Sequence, residues 1–410
     1  MSRLFTIAII LSSLLYSPLM AGDVTIDAWP DFDSHFKDEF PKINKVHKDL
    51  KLKYRMNKHG DHHKKLTTHL ATGSGAGNVV AVDVGFIGSF INAGGFVNLS
   101  EAPYNADKIK EGFVSYAWTQ GQGTDGNQYA VPIDIGPGVM YYRRDALEKV
   151  GAKIEDVIKD WDSYIEYGRK LKEHKIFLIA DAADVANVIY RTTVKPGEGL
   201  YFDKDGNSLI TSERFVKAFT VAKKVRDEKL DAQITAWTNE WYDAFKSGNM
   251  ATQLSGAWLL GHLKNWMAPK TAGKWGVSNL PDGLFGSWGG SFLAIPKQAK
   301  NKEDAWKVIK YLTSTKDAQI SSLKKIGAMP SLKTTYTDKV FAEPIPFLNN
   351  QNARELFAEV AKTIKPVKPM KGDLIARDVV NAALTSVLNE GKDIKEALKE
   401  AELLVKRRVK

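Results

Sequence analysis

The sequence predicts an α/β fold arranged as two lobes. Strand-like and helix-like stretches alternate from Val24 to Phe86, the order that builds a parallel or mixed sheet with helices on both faces. The chain, about 389 residues once its first 21 are set aside, is long enough for two domains, each with its own core. No repeat, low-complexity run or flexible tether interrupts it, so the lobes are expected to be joined by strands.

The first strand is read at "VTIDAWP", Val24 to Pro30, which alternates and is rich in β formers. A helix around "DSHFKDEFPKI" follows, then a second strand from Leu50 to Met56. "HHKKLTTHLATG" sets Leu66 and Leu70 on one helical face, with an end near Gly73. The apolar run Asn78 to Phe86 suits a strand buried on both sides, and "INAGGFVNLSE" a short helix, a Gly-Gly turn and an extended exit. "GVMYY" is a strand passing into a helix that ends at Gly151. From there to about Leu263 the pattern is mainly helical; Phe215, Ala218, Phe219, Ala222 and Val225 share one face. Gly-rich strand material returns in "GKWGVSNLPDG" and "GSWGGSFLAIPK". Asn301 and Asp304 open a helix in the manner of a capping box. The last helix, from Asp393, places Ile394, Leu398, Ala401 and Val405 on one stripe, and its basic end suits the helix dipole.

The N-terminus fixes the compartment. Arg3 precedes the run "LFTIAIILSSLL", Pro18 breaks it, and Ala21 is followed by "GDVTID". This is the pattern of a signal peptide covering residues 1–21, with cleavage after Ala21. The chain has no cysteine, which excludes disulfides, thiolate metal sites, cysteine nucleophiles and a lipid anchor on an N-terminal cysteine. An exported, unanchored protein fits the periplasm. The net charge of +10 is dispersed along helical stretches among acids, which reads as a solvated basic surface and not a nucleic-acid interface.

Four of the eight histidines, His59, His62, His63 and His69, fall in "HGDHHKKLTTHL". They come from one short segment beside Lys64 and Lys65, whereas a zinc site needs ligands converging from rigid elements; they read as surface histidines. Nucleophile elbows, zincin helices and phosphate loops are absent, and "GSGAGN" lacks a P-loop lysine. Tryptophan at turns and strand ends stands out instead: Trp29 beside Asp31, Trp258 in "SGAWLLG" and Trp288 in "GSWGGSF". Asp83 and Asp134 lie in or beside strands. A sugar needs flat apolar plates for its ring faces and acids that accept from its hydroxyls. Trp161 and Trp306 sit on helical faces and read as core.

At "PIDIGPGVMYYRRDALEKVG" the sequence resembles the extracellular solute-binding proteins of ATP-driven sugar importers, the family that includes maltose- and trehalose-binding proteins. Pro132, Ile133, Asp134, Val139, Met140, Tyr141 and Tyr142 match its signature, and Arg143 stands where Asn or Asp is usual. "FKSGNMATQLSGAWLLGHLK", "VSNLPDGLFGSWGGSFLAIPKQAKNKEDAWKVIKYLTS" and "GAMPSLKTTYTD" are similar to its later segments, in the family's order. The resemblance implies a type II-like periplasmic binding protein fold: two lobes, 22–133 with 290–340 and 134–289 with 341–410, each a mixed or parallel sheet flanked by helices. It implies a cleft lined by Trp29, Asp31, Asp83, Asp134, Tyr141, Trp258, Trp288, Gly289 and Arg377, with Trp258 and Trp288 stacking on sugar rings, Asp83 and Asp134 accepting from hydroxyls, and Gly289 admitting the ligand to the backbone. It further implies a monomer that needs no cofactor or metal, catalyses nothing, binds no nucleic acid, and hands a sugar to membrane permease subunits. The competing readings are a polyol, glycerophosphodiester or anion carrier, a metal carrier using the four histidines, and a secreted glycosidase.

Overall fold

The computed structural model describes residues 22–367 and 369–409, so the signal-peptide expectation lies outside the described residues. Strand β1 (Asp23–Ala28) pairs in parallel with β2 (Lys51–Met56) on one side and β3 (Val79–Asp83) on the other. Helix α1 (Asp33–Val46) connects β1 to β2, and α2 (His59–Thr72) connects β2 to β3. The second of these ends on Gly73 at φ +67, a left-handed cap that glycine adopts without a Cβ penalty. The expected strand through Phe86 stops at Asp83 and passes at once into α3 (Val84–Asn92). The Asp83 carboxylate causes the break by accepting the Gly85 N–H at 2.7 Å, an N-cap that starts the helix.

The remaining strands are β4 (Ala130–Arg143), β5 (Thr252–Gly256), β6 (Trp275–Ser278), β7 (Ser287–Ala294) and β8 (Met329–Pro330). Together the strands run β2-β1-β3-β7-β4-β5, with β6 and β8 also on β4. The sheet is mixed: β7 is antiparallel to both β3 and β4. β4 has 14 residues, far more than the expected "GVMYY", and its two halves have different neighbours. Its first half lies between β7 and β8, its second between β5 and β6.

β4 also feeds four cores, Ala130 joining the one with Val80, Ile87 and Phe292. Val131 and Ile133 pack with Ile26, Phe36, Val79 and Ile309 in the N-terminal lobe. Val139 and Tyr141 pack with Trp241, Phe245, Trp275 and Phe357. Met140 and Tyr142 alternate with these to the opposite face, against Tyr164, Ile189, Phe219 and Leu384. The helical stretch after Gly151 is as expected in the helices Trp161–Glu173, Ala182–Thr192, Glu213–Asp227 and Asn239–Ser247, and the predicted face from Phe215 to Val225 is buried. Trp161 and Trp306 are buried as expected. β5 was not expected: "TQLSG" has little β-branched content and pairs only because β4 lies alongside.

Two local expectations are corrected. Asn301 does not cap its helix with its side chain; it sits at φ +33 and its amide donates to the Asp23 carbonyl. His62 and His63 are not surface residues: they are 2% and 1% exposed. His62 Nε2–H donates to the Ala81 carbonyl at 2.7 Å. His63 Nδ1 lies 2.8 Å from the His59 carbonyl and its Nε2 accepts the Asp83 N–H at 3.0 Å, so the ring is neutral and neither nitrogen is spare. It stacks on Phe86 at 4.2 Å. Burial, with His59 nearby, pushes His63 down to about 3.

A buried ion pair ties the Glu213–Asp227 helix to the segments at Asp181 and Asp231. Arg226 reaches Asp231 at 2.8 Å and Asp181 at 3.2 Å, and Asp231 also accepts the Ala182 N–H. Arg226→Ala leaves the fully buried Asp231 without its counter-ion and is expected to cost about 3–5 kcal/mol in urea unfolding.

Candidate functional site: an inter-lobe cleft

The sheet register builds the floor of the site. Ser291 on β7 pairs with Asp83 on β3 and with Asp134 on β4, so three adjacent strands put an acid, a hydroxyl and an acid in one row. Opposed residues of neighbouring strands point to the same face, so the register brings the two carboxylates together. They differ in charge state. Burial pushes the Asp134 carboxyl up to about 7; Ser291 opposes this, and the charges of Asp83 and Asp31 add to it. Its Oδ1 is buried with no partner. Asp83 is partly buried, which pushes it up, but His59 and the Gly85 N–H outweigh this and hold it below the usual carboxylate range.

An aromatic wall stands beside this row. The Trp258 indole N–H donates to the Trp288 carbonyl at 2.8 Å, and the Trp258 ring stacks on Trp237 at 5.7 Å with 18° between planes. His262 meets both rings edge-on and accepts the Trp266 indole N–H at Nδ1, 3.0 Å away. Asp31, from the turn after β1, lies 4.0 Å from the same nitrogen, across from the other lobe. Burial pushes His262 below its ordinary value and Asp31 pulls it back. Trp237 is 51% exposed and sits at φ +68, a conformation rare for bulky residues and found where surroundings over-determine the backbone.

Gly289 at φ +91 has a different task from the one expected. A Cβ there would lie 2.7 Å from the Trp258 Nε1, so the missing side chain makes room for the indole before any ligand is considered. Gly256 does the same from β5, where a Cβ would meet that nitrogen at 2.3 Å.

Beyond Trp288 the site opens into a cavity of about 290 Å³ between Val84 and Gly85 of the first lobe, the 283–287 loop, and helix Asp373–Glu390 of the second. Arg191 lines it, its guanidinium over the Trp288 ring at 5.6 Å and the Tyr190 ring at 5.9 Å. Arg377 lines it too, lying over Phe86 at 5.1 Å and paired with Asp378 at 3.1 Å.

Of the residues expected in the cleft, the structure brings together Asp83 with Asp134 and Trp258 with Trp288 and Gly289, with Asp31 facing His262 and Arg377 facing α3. Trp29 does not join them: it is 5% exposed, packed by Phe32 and the His59, His62 and His63 rings. Tyr141 is fully buried, and its hydroxyl donates to the Ala257 carbonyl at 2.9 Å and accepts the Leu260 N–H at 3.1 Å, leaving nothing for a ligand. Trp237, His262 and Arg191 were missed. Trp237 stands in the aromatic-rich stretch "AWTNEWYDAF", a signal that was available; Arg191 in "IYRTTV" carries none.

Residues 40–347, well over half of the chain, match the family model described as bacterial extracellular solute-binding protein. The chain belongs to this family. A solute-binding protein of this kind is similar, at 29% identity over 88% of this chain and 87% of the other, to a lactose-binding protein of Rhizobium radiobacter. Its fold is that of solved extracellular solute-binding proteins. One, of family 1, has a TM-score of 0.81 and 26% identity over 94% of this chain and 99% of that one. Another, the binding protein of B. animalis subsp. lactis Bl-04 in complex with β-1,6-galactobiose, has a TM-score of 0.79 and 22% identity over 93% and 96%.

Two measurements check this geometry. Gly289→Ala combines a strained φ with a clash at Trp258 and is expected to destabilise the protein by about 1–3 kcal/mol and shift its tryptophan emission. Asp134 ionises near 3.8 when unfolded but near 7 when folded, so the folded state holds the extra proton in between and stability falls as pH rises through that window. Asp134→Asn removes this contribution. Its melting temperature relative to the parent should therefore climb steadily from about pH 4 to pH 7.

Proposed function

We propose that this solute-binding protein captures a sugar in the cleft between its lobes, closes on it by hinge motion, and delivers it to the membrane permease of an ATP-driven importer. One observation carries the reading. The unpartnered Asp134 Oδ1 stands in a row with Ser291 and Asp83, next to the Trp258–Trp237 stack. Hydroxyl acceptors beside flat apolar faces are what a sugar ring needs. The lactose-binding relative supports the same class of ligand. The lobes would hinge at the strands shared between 22–133 with 290–340 and 134–289 with 341–410, and the protein would act as a periplasmic monomer without cofactor or metal. Trp258 and Trp288 would stack on or flank the sugar, joined by Trp237; Asp31, Asp83 and Asp134 would accept its hydroxyls.

A glycosidase is the second reading, because Asp83 and Asp134 have opposite shifts in ionisation, as an acid and a base would. The two separate in one experiment. The protein is screened by thermal shift against neutral and acidic sugars, polyols, phosphate esters and zinc. A sugar at a hundredfold over its Kd should add about 2.7 kcal/mol of stability. Trp258→Ala should abolish that shift, and no reducing sugar should be released from oligosaccharides. Release of reducing sugar, lost in Asp134→Asn, would establish the hydrolase instead; a shift with zinc alone would sink the sugar reading.

A further inference from the structure

Arg191 is out of place for a helix-end cation. Its guanidinium faces inward, its Nε is buried with no hydrogen-bond partner, and among the described residues no carboxylate forms an ion pair with it. Aromatic rings flank it instead, those of Tyr190 and Trp288. Two acids reach it by charge alone: Asp83, already engaged by His59 and the Gly85 N–H, and Asp184 on the same helix, which accepts the Gln253 amide at 2.7 Å. A guanidinium partly withdrawn from water without an ion-pair partner is costly unless something pairs with it, and a planar fork of donors is suited to a carboxylate or another oxyanion.

The rest of the cavity has the same sense. Arg377 and Lys365 line it, and Tyr201 contributes a buried hydroxyl with no partner. Among the described lining residues Asp373 is the single acid; its Oδ2 accepts the Met370 N–H at 2.8 Å and its Oδ1 is buried without a partner. Burial pushes Asp373 up to about 7, so near neutrality much of it is a hydroxyl donor and not a charge. A small pocket lined by Trp288, Arg191, Gly286 and Ser287 adjoins the cavity, sharing Arg191, Thr192, Gly286 and Ser287 with it, and the Trp288 carbonyl in turn accepts the Trp258 indole N–H.

We infer that the Arg191 cavity receives an anionic group carried on the sugar, with Arg191 as its counter-ion, so that the ligand is an acidic saccharide and not a neutral one. This rests on the sugar reading and deepens it: the aromatic end takes a ring face, the Arg191 end takes the charge. A carboxylate, as on a uronic acid unit, and a sulfate ester share this chemistry.

Calorimetric titration of the mature protein distinguishes them. The probes are uronic-acid disaccharides, each beside its methyl ester, and sulfated disaccharides beside the unsulfated sugars. At least one acid is expected to bind about tenfold or more tightly than its neutral partner, a difference of about 1.4 kcal/mol. Arg191→Gln should collapse that ratio to near one by weakening the acid far more than its neutral partner, and Arg191→Lys should keep part of it. If Arg191→Gln fails to fold, Arg191→Lys, which keeps the charge but not the fork, carries the test by lowering the ratio. Neutral sugars binding as tightly as every acid would overturn the inference and leave the sugar reading standing. If no sugar of either kind binds, both fall.

Discussion

The register of β4 against its neighbours is the constraint on which the rest depends. One strand of 14 residues spans both lobes, contributing side chains to four cores and pairing with four other strands. Because side chains alternate along a strand, a slip of one residue would exchange the Met140–Tyr142 face for the Val139–Tyr141 face and unmake two cores at once. The same register fixes Asp134 opposite Ser291. The position of a chemical group in the cleft is thus set by hydrophobic packing some distance from it. Gln319 secures this from the side: its amide donates to the Ile133 and Leu312 carbonyls and its Oε1 accepts the Ser331 N–H.

The aromatic wall is held by the other end of the same logic. β5 ends at Gly256 and β7 begins at Ser287, and both flank β4, so the turns that leave them are neighbours. Trp258 and Trp288 are attached to those turns, and the two glycines clear the volume between them. Tyr141 contributes from below by bonding the Ala257 carbonyl and the Leu260 N–H. It shapes the turn that carries Trp258 and so serves the cleft without entering it.

What could be read from the sequence is what local pattern determines. Strands β1 and β2, helices α1 and α2, and the stripe of the last helix follow from periodicity, and Asp393 caps that helix by accepting the Glu396 N–H. The acids were legible because both stand in apolar stretches: Asp134 interrupts β4, and Asp83 closes β3, where it also caps the helix that follows. Trp29 looks the same as Trp258 in one dimension; the difference is that three histidine rings close over it. His62 and His63 were misread because polar residues on a helix normally face water, whereas here strand backbone supplies their partners. Trp237 left the trace of its aromatic-rich stretch, whereas Arg191 depends on a contact with Trp288 nearly a hundred residues away, which leaves none.

The indole of Trp258 has spent its one donor on the carbonyl of Trp288. What remains for a guest is a face of π density with no directional group to query an equatorial or axial hydroxyl. A pyranose resting there would be sorted by whether its C–H surface is flat. Epimers differing only at a carbinol that points away from the ring would be treated alike. In the proposed sugar reading, stereochemical discrimination would then fall to the carboxylates of the floor, dividing recognition between a permissive platform and a demanding one.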